Sequence, residues 1–110
     1  MERLIRGDIV VVPFPFSDLS NFKKRPALII TKLKGDDLIL CQITSQNISD
    51  EYAITLSNED LASGSLKRKS NIRPNRVFTA DEKIILYKVG MLNENKIGEV
   101  VEKLVRIIKS

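Results

Sequence analysis

Two short apolar runs, residues 27–31 and 38–43, stand on either side of the polar break Lys34-Gly35-Asp36-Asp37. Both are rich in Ile and Leu and bounded by turn residues, a pattern that suits buried strands better than helices. Together they predict a hairpin. The first strand is entered through Lys23-Lys24-Arg25-Pro26 and the second is left through Thr44-Ser45-Gln46. In an antiparallel pair the start of one strand lies beside the end of the next. The hairpin therefore predicts Arg25 and Thr44 as neighbours on one rim. A fixed cation beside hydroxyl and amide groups is chemistry suited to a phosphate.

The rest of the chain must be compatible with that hairpin. With 110 residues, 43% of them hydrophobic, it predicts one domain, residues 1–110, with a single core. Aromatic residues make up 5% and Trp is absent, so the core is expected to be built from Ile, Leu and Val. The formal charge of +4 is basic but mild, and points only weakly to a nucleic acid. The lone cysteine, Cys41, falls inside an apolar run. It reads as a small buried hydrophobe, and one cysteine fits a reducing cytosol. No apolar run approaches the ~20 residues needed to span a bilayer, and Met1–Arg6 lacks the apolar stretch of a signal peptide. A cytoplasmic protein with no membrane association is expected.

Histidine is absent. This excludes histidine-based triads and paired-histidine acid–base catalysis, and with one cysteine it argues against a zinc site. An enzyme built on this chain works with Arg, Lys, Thr, Ser, Tyr and carboxylates, and no cofactor is expected.

Along the chain, Arg6-Gly7-Asp8 signals a turn before the β-branched strand 9–12. Pro13 and Pro15 are expected to stop that strand from continuing as a regular central strand. Phe14 and Phe16 flank Pro15, either packing under a loop or offering a stacking face to a base. Residues 17–24 read as a polar loop that brings Lys23 and Lys24 up to Arg25. After Gln46, Asn47-Ile48-Ser49-Asp50 is a turn and residues 52–56 a short strand. Residues 57–61 read as a cap with one helical turn, or as a loop. Ser63-Gly64-Ser65 reads as a turn. Lys67, Arg68, Lys69, Arg73 and Arg76 form the densest basic cluster, either an RNA-backbone contact or a solvated edge strand, with Pro74 marking an edge or a bulge. Residues 84–92 are ambiguous between a helical turn and a strand. Asn93 caps a helix whose apolar stripe is Ile97, Val100, Val101, Leu104, Val105 and Ile108, with Glu99 and Lys103 as an i,i+4 pair. Short strands with close turns and one closing helix predict an α+β, mainly β fold: a small barrel of antiparallel strands with a C-terminal helix.

The ordered series Arg6-Gly7-Asp8-Ile9-Val10, Lys24-Arg25-Pro26-Ala27-Leu28-Ile29-Ile30, Ile43-Thr44-Ser45-Gln46, Ser70-Asn71-Ile72-Arg73 and Thr79-Ala80-Asp81 resembles the MazF/PemK family of toxins from type II toxin–antitoxin pairs. The resemblance implies an SH3-like barrel, a homodimer, a cognate antitoxin and a metal-independent endoribonuclease acting on single-stranded RNA. It implies catalytic roles for Arg25 and Thr44. In one branch an Arg and an acid two positions on contribute as well. Arg73 matches the first, and Asn75 stands where the acid would be. Lys23, Lys24, Ser45, Gln46, Lys67, Arg73 and Arg76 are the expected RNA contacts. The alternative is a non-catalytic module on the same fold, of the gyrase-binding kind or one that binds only an antitoxin.

RNA supplies its own nucleophile, the 2′-OH, so the absence of a serine or cysteine nucleophile is no obstacle. In-line attack gathers negative charge on the non-bridging phosphate oxygens. Arg25 can neutralise that charge and Thr44 can donate to it. Arginine is a poor base, its pKa lying above ~12.

Overall fold

Unbroken Ile, Leu and Val runs can be buried on both faces of a sheet, and three of them make its middle. In the computed structural model, which describes residues 3–14 and 23–110, these are β1 (Asp8–Phe14), β2 (Lys23–Lys32) and β3 (Asp37–Thr44). β4 (Ile54–Leu56), β5 (Leu61–Gly64), β6 (Ser70–Asp81) and β7 (Tyr87–Leu92) complete one sheet in the order β4-β6-β3-β2-β1-β7-β5, and α1 (Glu94–Lys109) follows. Every pairing is antiparallel. The sheet curls into an open, SH3-like half-barrel with β4 and β5 at its edges, giving an α+β, mainly β fold.

Side chains alternate between two cores. Ile9, Leu28, Cys41 and Ile72 face one core, which Val100 of α1 joins. Val10, Val12, Ala27, Ile29 and Leu40 face the other. The Asn93 side chain accepts from Lys96 N at 2.8 Å and starts α1. Of the helix stripe, Val100 is buried, while Ile97 and Leu104 pack against the core. Val105 and Ile108 at the far end are 42% and 73% exposed. Glu99 meets Lys96 at 3.2 Å, one turn back rather than forward to Lys103.

Arg6-Gly7-Asp8 ties these parts together. Arg6 Nε donates to Ile30 O at 2.8 Å. Gly7 has φ +95°, and a Cβ there would collide with the Ile97 side chain, so this turn demands glycine. Asp8 is fully buried. Its Oδ2 accepts from Ile5 N at 2.9 Å, and its Oδ1 meets Lys88 Nζ at 3.0 Å as an ion pair without hydrogen-bond alignment.

Several sequence expectations shift. β1 runs on through Pro13 to Phe14, but beyond Val11 its described pairing is with β2 alone, so at its far end it is not a regular central strand, as expected from Pro13. Pro15, Phe16 and most of the 17–24 loop lie outside the described residues. Ser63 and Gly64 belong to edge strand β5 rather than to a turn, with Gly64 at φ +79° against Val89 and Gly90 of β7. β6 lies between β3 and β4 only over residues 70–72. Beyond Ile72 its described pairing is with β3 alone, so the stretch with Arg73 and Arg76 is an edge, and Pro74 sits in a bulge where the register passes from Cys41↔Val77 to Gln42↔Arg73. Residues 57–60 form a capping box on a 3-10 turn, Ser57 N donating to Asp60 Oδ2 at 2.9 Å. The ambiguous 84–92 segment is both: a 3-10 turn, Glu82–Ile84, and then β7.

A candidate phosphate-binding site

The second core ends where apolar side chains give way to polar ones on the same sheet face. Strand residues two apart share a face. Val12 leads to Phe14, Ala27 back to Arg25, and Gln42 on to Thr44. The ladders hold them in line: Val12 pairs with Arg25, Ala27 with Gln42, and Gln42 with Arg73. The result is a cavity of about 190 Å³ lined on its polar side by Arg25, Gln42, Thr44, Gln46 and Arg73. Phe14, Ile48 and Phe78 supply apolar wall. The Phe14 and Phe78 rings pack at 6.2 Å and 53°, a tilted aromatic contact.

The two arginines differ in state. The Arg25 residue is exposed, and its side chain forms no hydrogen bond or ion pair among the described residues. Arg73 Nη2 is held by Asp50 Oδ2 at 3.2 Å, while its buried Nε has no hydrogen-bond partner. The Thr44 hydroxyl oxygen accepts from Gln46 N at 3.2 Å, which leaves its proton available to an incoming acceptor. Asn71 Nδ2 donates to Gln46 O at 3.0 Å and fixes the loop that leaves β3.

Asp50 anchors the same loop further on. It accepts from Tyr52 N at 3.0 Å and Ala53 N at 2.9 Å. Desolvation pushes its carboxyl up, but the amides of Ala53 and Tyr52 and the Arg73 guanidinium outweigh that and hold it below the usual 3.8.

Of the residues expected from sequence, Arg25, Thr44, Gln46 and Arg73 meet in this cavity. Lys23, Lys24 and Ser45 are exposed beside it without lining it. Lys67 lines a different surface cavity of about 380 Å³ with Asn58, Glu59, Arg68 and Lys69. Arg76 is exposed in the β6 bulge, carried away from the cavity by the extra residues. Gln42, Ile48, Phe78 and Asp50 escaped sequence reasoning. Asp50 carried a signal, an acidic residue in a turn, but its link to Arg73 spans 23 positions.

A roomier cavity of about 420 Å³ lies elsewhere, lined by Leu4, Ile85, Leu86, Val89 and Gly90 with Lys88 at its side. Ser63 and Tyr87 also line it, and Lys88 is engaged with Asp8. Among the described residues no group of three or more Cys, Asp or Glu clusters as a metal site, and no helix is long and apolar enough to cross a membrane.

Comparison with solved structures supports the fold. The chain superposes on the MazF–MazE structure from Deinococcus radiodurans (Form-II) with a TM-score of 0.76 at 18% identity, covering 99% of this chain and 98% of that one. It superposes on MazF (Form-I) from the same organism with a TM-score of 0.75 at 17% identity, both chains covered fully at 100%. An endoribonuclease in complex with its cognate antitoxin, from a mycobacterial species, gives 0.74 at 11% identity, with 99% and 96% covered. No curated protein matches the chain. Residues 5–108 match the family described as PemK-like, MazF-like toxins of type II toxin–antitoxin systems. With that match spanning nearly the whole chain, and the half-barrel shared with MazF structures, the protein belongs to the MazF/PemK toxin family.

Proposed function

We propose that the protein is a metal-independent endoribonuclease that cleaves single-stranded RNA, and so inhibits translation and growth. The observation that carries this reading is the convergence of Arg25, Thr44 and Arg73 on one cavity. The 2′-OH attacks the adjacent phosphorus, the 5′-oxygen leaves, and the products carry a 2′,3′-cyclic phosphate and a 5′-OH. Arg25 neutralises the charge that builds on the non-bridging oxygens, and the Thr44 proton bonds one of them. Charge stabilisation of this kind is typically worth several kcal/mol. Arg25 serves as a cation and not as a base. Lys23 and Lys24 extend positive charge along the approach, and Lys67 and Arg76 contact more distant phosphates.

The family and the endoribonuclease and antitoxin complexes among its structural neighbours support a cognate antitoxin as partner. A homodimer acting in the cytoplasm completes the proposal, with residues 1–110 as one domain.

The test is cleavage of a single-stranded RNA with end-group analysis, in excess EDTA. Cleavage at full rate with cyclic-phosphate ends is expected. Loss of activity in EDTA that a divalent ion restores refutes metal independence. A folded protein that neither cleaves nor binds RNA supports the non-catalytic module instead.

A further inference from the structure

We propose that Asp50 is a positioning residue that aims Arg73 into the phosphate cavity, a proposal that rests on the ribonuclease reading for its catalytic consequence. The two Asp50 oxygens have separate tasks. Oδ1 accepts from Tyr52 N and Ala53 N at 3.0 and 2.9 Å and is locked to the backbone. Oδ2 is thereby held at one place, 3.2 Å from Arg73 Nη2. The Arg73 side chain is only 18% exposed. Its Nε is buried within this site without a hydrogen-bond partner, so among the described residues Asp50 is the hydrogen-bond partner that restrains the guanidinium. A guanidinium pinned at one Nη keeps its remaining N–H groups for a second acceptor. The cavity shared with Arg25 and Thr44 is where such an acceptor, a phosphate oxygen, would arrive.

The position two residues after Arg73 is Asn75, exposed in the bulge. The carboxylate beside this arginine therefore comes from the β3–β4 loop and not from β6. A carboxylate that touches arginine, and stands behind it rather than among the reacting atoms, orients and does not catalyse. It also lowers the charge presented to RNA, so its value lies in geometry. Fixing a group in the reactive orientation lowers the barrier through entropy.

Asp50→Asn separates the two tasks. Asn keeps an Oδ1 acceptor for the backbone amides and removes the charge facing Arg73. In wild type, cleavage of single-stranded RNA is compared with Asp50→Asn, Arg73→Ala and the double variant. A second measurement follows the Arg73 Nε–Hε NMR signal, and a third the affinity for an uncleavable 2′-O-methyl oligonucleotide. We expect Asp50→Asn to lower kcat by about tenfold, the order lost when a reacting group is loosened, with KM changed little. The loss should vanish on the Arg73→Ala background. The Nε–Hε signal should shift and broaden while the Tyr52 and Ala53 amide signals stay in place. An equal loss with and without Arg73, or an unchanged Nε–Hε signal, overturns the proposal. If wild type fails to cleave RNA, the ribonuclease reading falls, and the NMR signal together with oligonucleotide affinity still decides whether Asp50 orders Arg73.

Discussion

Gln42 of β3 pairs with Arg73 of β6, whereas its neighbour Cys41 pairs with Val77. Pro74, Asn75 and Arg76 are the residues left over. The bulge bends β6 and re-aims what precedes it. It is why Arg73 reaches the cavity and Arg76, so close in sequence, does not. Affinity for an uncleavable oligonucleotide, measured against salt on an Arg25→Ala background, should reflect this. Arg73→Ala should lower the slope by about 0.7, the value for one single-strand phosphate contact. Lys67→Ala should cost less affinity, because Lys67 lines a separate cavity. Equal slopes for both variants and the parent would remove the basic cluster from RNA contact.

Of the two arginines in the cavity, Arg25 is the one whose side chain has no partner among the described residues, so its replacement should harm chemistry without harming the fold. Arg25→Ala is expected to reduce cleavage by about 10²–10³-fold with an unchanged circular dichroism spectrum and melting curve. Arg25→Lys should recover little, since an ammonium cannot reproduce the planar fork on a phosphate. A folded Arg25→Ala variant that still cleaves at the wild-type rate would exclude the assigned role.

Much of this site could be read in the sequence because its parts lie on strongly patterned strands. The hairpin of β2 and β3 follows from two apolar runs and a turn, and register then brings Arg25 and Thr44 to one cavity. The stripe of α1 was equally plain, though Val105 and Ile108 show that a periodic residue need not be covered. What could not be read depends on contacts with no local pattern. β5 is four residues long and includes a glycine at positive φ, so it looks like a turn until β7 is beside it. Asp50 looks like any loop acid until the fold sets Arg73 against it.

The Asp8–Lys88 pair offers a stability test away from the site. The Asp8 side chain is 0% exposed and that of Lys88 28%. Asp8 keeps the Ile5 amide and Lys88 is partly exposed, so removing the lysine should cost less than the loss of a fully buried partner, on the order of 1–3 kcal/mol. Lys88→Met should therefore lower stability in urea unfolding by about that amount. Asp8→Ala/Lys88→Met should be less destabilised than the sum of its single changes. Additive effects would show that the pair is uncoupled.

Cys41 should be chemically silent. Burial pushes its thiol up to about 12, so at pH 8 only about 10⁻⁴ of it is thiolate, and the thiolate is the reactive form. Native protein should resist iodoacetamide at pH 8, and protein unfolded in urea should be alkylated readily. Equal rates in both states would mean that the β2–β3 hairpin opens freely.

The pairing of β1 with β7 also has a consequence in time. Asp8 lies opposite Met91, so β1 must wait for β7, which is synthesised after it, before its outer edge is paired. Leu92 and Val100 belong to the same core as Ile9 and Leu28, and that core stays open for just as long. Contacts so distant along the chain form late, after loop closure has been overcome. Arg25 and Thr44 are synthesised early, yet the sheet that holds them at working distance settles only once the codons of β7 and α1 have been translated. For a protein proposed to cut messenger RNA, that order of events separates the making of the cleft from its use.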